Sequence, residues 1–198
     1  MDQLVKFSEN VGHSIFAISS ALATNTVKSL NDQEHDSWGI DAGKYEKYQI
    51  LVQYSFLFTY YLDKLLYFYT NYDGNKRNRV SDIVLTNLAT LTDEVLIDIT
   101  SKVAEYPYDK IYKESYIYFL EDFSNYKFPY ENTGEDKPGG FLEEDSAIGH
   151  FANLLWGILK HDTDTPLAFS FTISVMFMAG IKELTFTKLI DTYKQMED

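Results

Sequence analysis

Glu143, His150, Gly157 and His161 follow one another at i, i+7, i+14 and i+18. On a helix these spacings run along one side, at the edge of an apolar stripe. Gly157 places no side chain between the two imidazoles, so the strip reads as a notch. Two imidazoles and a carboxylate there can bind a polar ligand at separate points. Residues 143 and 150 are two turns apart, about 10 Å along the axis, and His161 lies three turns further on. That span is too long for all three to hold one metal ion on a single straight helix, so no metal is assigned. Packing alone also accounts for these residues, with a histidine at a helix boundary and a glycine that admits a close neighbour.

Trp38 and His35 sit in a glycine-bearing stretch with Glu34, Asp36 and Asp41. Exposed, the indole would anchor a contact surface; folded back, it would cover the end of a bundle. Glu9 and His13 share a helical face opposite the apolar one and read as a solvated i,i+4 pair. Asp63 stands inside a run of aromatics and is expected at a boundary, meeting Lys64 or a neighbouring helix. Lys76, Arg77 and Arg79 form a tight basic cluster, too small for a nucleic-acid footprint. The chain has no phosphate-cradling glycine loop, HExxH, EF-hand loop or GxSxG elbow. It also lacks the Glu-x-x-His of a di-metal carboxylate bundle. No catalytic residue and no cofactor are therefore assigned.

The elements that would position these residues read as helices. Leu4, Val11, Ile15, Ile18 and Leu22 make one stripe of a helix from about Asp2 to Leu30. A second helix runs from about Lys44 to Asn71, with Leu51, Tyr54, Phe58, Tyr61, Leu62 and Leu65 inward and Gln49, Gln53, Tyr60, Lys64 and Tyr67 on a wetter stripe. Residues 71–79 read as a turn around Asp73-Gly74. A third helix starts near Ser81 and is open to a break at Thr92-Asp93-Glu94. A fourth runs from about Asp109 to Tyr126. Residues 127–140 carry two prolines and three glycines and form the strongest break in the chain, a sub-boundary inside one domain of residues 1–198. A fifth helix spans about Phe141 to His161. A sixth begins with Thr165 as N-cap and Pro166 in its first turn. Leu167 to Ile181 is apolar almost all round and reads as a helix covered on every side. The fold class is an all-α, single-domain bundle of about six helices with an apolar central C-terminal helix.

Charge and composition bound the function. The 17 Lys and Arg against 30 Asp and Glu leave −13, which argues against nucleic acid and would steer the chain toward a basic protein partner. With no cysteine there is neither thiolate chemistry nor a disulfide framework. The first decade is broken by Asp2, Lys6 and Glu9, unlike a secretory leader, so a cytoplasmic location is expected. The uncharged run from Thr165 to Ile181 lies at the lower edge of membrane-span length and carries no flanking basic cluster, so no span is expected. Three roles follow: a non-enzymatic interaction protein for a basic partner, a binder or enzyme with an aromatic-lined cavity between helices, and a homo-oligomer built through a helix face. The first is favoured on charge, with surface Tyr and Trp as its anchors; the 16 Tyr and 14 Phe fit core stripes, an aromatic-lined cavity or a Tyr-rich surface.

Overall fold

The computed structural model of the chain describes residues 2–31, 42–69, 74–102, 107–127, 146–159 and 164–196. These form helices α1 (Gln3–Asn31), α2 (Lys44–Tyr69), α3 (Gly74–Thr100), α4 (Tyr108–Phe123), α5 (Ala147–Leu159), α6 (Leu167–Leu184) and α7 (Phe186–Gln195). No strand occurs among the described residues. A single parallel bridge joins Lys127 to Ser146, where the Ala147 N–H donates to the Lys127 carbonyl at 2.9 Å and ties the end of α4 to the start of α5.

The chain is the expected all-α bundle, but its centre is α2. Every residue from Tyr54 to Leu62 is buried, and α2 touches α1, α3, α4, α5 and α7. Tyr60, expected on a wetter stripe, is covered because Phe119 and Phe123 of α4 meet its ring edge-on at 6.3 and 6.4 Å. Other aromatic contacts spread outward from the same helix. Phe56 meets Tyr112 at 4.8 Å, Tyr54 meets Phe151 at 5.1 Å, and Phe58 stacks on Phe177 at 5.6 Å. Such pairs add about 0.5–1.5 kcal/mol each beyond the area they bury.

Helix α6 is apolar as read but is not covered on every side. Phe169, Ile173 and Phe177 face the bundle, while Leu167, Phe171 and Val175 stand 70%, 61% and 52% exposed at i, i+4 and i+8. The outward stripe is uncovered because α1 and α5, with Phe58 of α2, meet only the other side of the helix. Leu167–Gln195, taken together, is long and apolar enough to cross a membrane by length and composition, and 39% of its most apolar window is buried.

Several boundaries differ from those the sequence predicts: α5 starts at Ala147 instead of Phe141, and Pro166 instead of Thr165 stands at the N-cap of α6. Helix α3 begins at Gly74 instead of Ser81 and runs unbroken through Thr92 to Thr100. The basic cluster therefore lies on its first turns, where each cation finds an acceptor on another element. Arg79 pairs with Asp2, Arg77 with Asp63, and the Lys76 ammonium donates to the Met196 carbonyl at 2.6 Å. The fourth helix stops at Phe123, short of Tyr126. The last helix breaks at Thr185, whose φ of 46° is left-handed, and α7 follows. The turn lets Phe186, Ile190 and Tyr193 reach the core.

Two glycines set helix spacing. A Cβ on Gly12 would fall 2.5 Å from Asn87 Oδ1 of α3, and one on Gly180 would fall 2.4 Å from Phe58 Cζ of α2. At both points a side chain of the neighbouring helix fills the space that a Cβ would need.

Candidate functional site

Of the strip read from the sequence, His150 and Gly157 fall on α5. Glu143 and His161 lie outside the described residues, as does Trp38. Ser146 starts the helix, its hydroxyl accepting from the N–H groups of Ile148 and Gly149.

His150 faces α4. Its Nε2 lies 2.6 Å from Asp122 Oδ2, its ring stacks on Tyr126 at 3.9 Å, and the edge of Phe123 meets it at 4.9 Å. Histidine, carboxylate and tyrosine thus hold the α4–α5 junction together. The carboxylate fixes the imidazole's orientation, an arrangement that suits proton transfer as well as packing. Among the described residues Asp122 is the side chain hydrogen-bonded to that ring. Asp122 was absent from the sequence reading, since nothing local pairs residues 28 apart.

Gly157 faces α2. A groove of about 580 Å³ opens there, lined by Tyr45, Glu46 and Gln49 of α2 and by Leu154, Gly157 and Ile158 of α5. Residues 154, 157 and 158 share one helical face, so the glycine sits in the middle of the apolar wall. A Cβ at Gly157 would meet nothing within 4 Å. The close helix neighbour considered for Gly157 is therefore not there; that role belongs to Gly12 and Gly180. On the opposite wall the Gly43 N–H donates to Glu46 Oε2 at 3.0 Å, closing the first turn of α2. That hydrogen bond steadies the carboxylate in the groove lining, to which Tyr45, 53% exposed, also contributes. The sequence reading passed over Tyr45 and Glu46. The available signal was Glu46 three residues after Gly43, the spacing of a reciprocal cap.

A helical glycine with no packing reason costs stability. Gly157→Ala is expected to raise the stability of the protein by about 0.5–1 kcal/mol, the helix-propensity difference between the two residues. The check is the denaturant midpoint at unchanged slope. A lower midpoint would mean that the groove is closed.

Next to the groove, Tyr48 of α2 and Tyr108 of α4 share a hydrogen bond through their hydroxyls, and Tyr108 donates onward to Thr92 Oγ1 at 3.3 Å. Burial, then the Tyr108 hydroxyl, pushes the Tyr48 phenol far up. Burial also raises Tyr108, against the lowering effect of its bonds to Thr92 and Tyr48. These hydroxyls stay neutral and act as a polar clamp between helices, with no activated nucleophile among them.

Asp63 is half-buried on α2, at the boundary between core and solvent, as expected. It accepts from the Ser81 hydroxyl at 2.9 Å and pairs with Arg77 at 3.4 Å, while the Arg77 guanidinium lies over the Tyr67 ring at 5.3 Å. The sequence reading offered Lys64 or a neighbouring helix as its partner, and α3 supplies it. Among the described residues no three His, Asp or Glu side chains stand close enough together to hold a metal ion.

Fold and site define an all-helical bundle with an aromatic core and, among the described residues, a groove of mixed polarity where α2 and α5 meet. Comparison with family models, curated proteins and solved structures finds no match for the chain.

Proposed function

We propose that this chain is a non-enzymatic interaction protein that engages a basic partner protein. The observation that carries this reading is the outward stripe of α6, where Leu167, Phe171 and Val175 stand exposed in line. An aligned apolar stripe that helix neighbours leave bare favours a contact surface over solvent exposure. Helix α4 adds Ile117 and Tyr118, also exposed. The net charge of −13 supplies the second half of the reading, since long-range attraction would steer a basic protein toward this surface. A contact of this kind has an apolar centre and a charged rim.

The test begins by identifying a basic protein captured by the immobilised chain and purifying it. Association should then slow markedly between low and physiological salt, because steering is screened beyond about 10 Å at 0.1 M ionic strength. Phe171→Ser should speed dissociation without unfolding the chain, since that ring contributes little to the core. An on-rate indifferent to salt, together with unchanged binding by Phe171→Ser, would remove the reading.

A further inference from the structure

We propose that the groove between α2 and α5 seats an arginine side chain of the basic partner; this rests on the interaction reading above and names its anchoring point. Three features of the groove fit a guanidinium. The Glu46 carboxylate stands at the mouth, with Oε2 committed to the Gly43 N–H and Oε1 bonded to none of the described residues. Gln49, one helical turn further along α2, adds an amide oxygen on the same wall. Two acceptors on one wall suit the forked donors of arginine, whereas lysine offers a single point charge. The exposed Tyr45 ring beside them offers a face on which a planar cation stacks.

The opposite wall fits the stem of the same side chain. Leu154 and Ile158 are apolar, and Gly157 between them leaves the space that a three-carbon chain requires. The glycine itself is an independent argument. It weakens α5 by about 1 kcal/mol relative to alanine, and no atom of the described residues stands within 4 Å of where its Cβ would lie. Packing supplies no reason for it, whereas an open groove does.

The probe is the peptide acetyl-Ala-Arg-Ala-amide, titrated into the full chain labelled with nitrogen-15. The Gly157 amide and the Gln49 side-chain amide should shift saturably. The lysine counterpart should bind more weakly, and the citrulline counterpart, equal in shape but uncharged, should lose the effect. Glu46→Gln should weaken binding about fivefold, the upper range for a partly exposed ion pair, while its amide oxygen still accepts from Gly43. Gly157→Leu fills the groove and should abolish the shifts while the rest of the spectrum stays folded. Equal shifts with citrulline, no saturation, or unchanged binding by Gly157→Leu would each overturn the proposal. The partner reading is judged separately. If Gly157→Leu still captures the basic partner with wild-type affinity, the arginine pocket is wrong and the interaction role stands. If capture fails for the wild type while the peptide binds, the groove takes a guanidinium but the assignment to a partner protein falls.

Discussion

Raising the pH above 10 is expected to unfold the protein in one cooperative step, with the tyrosines ionising as the helices are lost. Tyr54, Tyr112 and Tyr116 are fully buried, and burial raises each phenol above its ordinary 10.0. Tyr54 is held partly in check by its hydrogen bond to Thr26, whereas Tyr116 is pushed further by the nearby Asp63 carboxylate. The folded chain therefore keeps protons that the unfolded chain releases above pH 10. Below 10 both states are neutral at these groups and stability does not depend on them. Above 10 stability falls as pH rises, by about 1.4 kcal/mol per pH unit for each such tyrosine. Three together give about 4 kcal/mol per unit, against a total of about 5–15 kcal/mol for a domain. Two units thus remove most of the margin. Tyrosinate absorbance and far-ultraviolet circular dichroism, followed together, should move in one transition. Tyrosines that all titrate near 10 while helix content is retained would show that this core is wet.

Gly180→Ala is expected to destabilise the protein, although alanine is the better helix former by about 1 kcal/mol. The new Cβ would lie 2.4 Å from Phe58 Cζ and 3.2 Å from Leu22 Cδ1. Phe58 cannot swing away, because its ring stacks on Phe177 at 5.6 Å and on Tyr54 at 6.3 Å. The backbone of α6 must move instead, and overpacking of this kind costs about 1–3 kcal/mol. Gly180→Leu should cost more and push α6 off the bundle. The comparison with Gly157→Ala makes the test sharp. The same substitution on adjacent helices should give opposite signs, with Gly157→Ala more stable than the wild type and Gly180→Ala less stable. Denaturant midpoints in the reverse order would mean that the α5 groove and the α6 contact have been confused.

That contrast also marks how far the sequence reaches. Helix periodicity is a local property: apolar residues at three- and four-residue spacing define a stripe whatever the stripe meets. The stripes of α1, α4 and α5 could therefore be read from residues such as Val11, Tyr116 and Phe151, and all three are buried. Which helix occupies the centre is a different question. The segments around Tyr54 and around Ile173 are both apolar enough for it, and the choice went to α2 because five other helices close around it. The outward face of α6 was left bare by the same arrangement. The C-terminal helix pattern of Phe186, Ile190 and Tyr193 was present in the sequence, but the left-handed turn at Thr185 that aims it inward depends on the core it enters.

The candidate site divides the same way. His150 and Gly157 were legible as unusual residues on one helix side. Their surroundings were not, because Asp122 reaches His150 from α4 and Tyr45, Glu46 and Gln49 of α2 form the wall across the groove from Gly157. A glycine in a sequence is only an absent side chain. At residue 180 the neighbouring helix fills that absence, and at residue 157 it becomes a groove, because helix-to-helix distance is set by every side chain along both interfaces and by none of them alone.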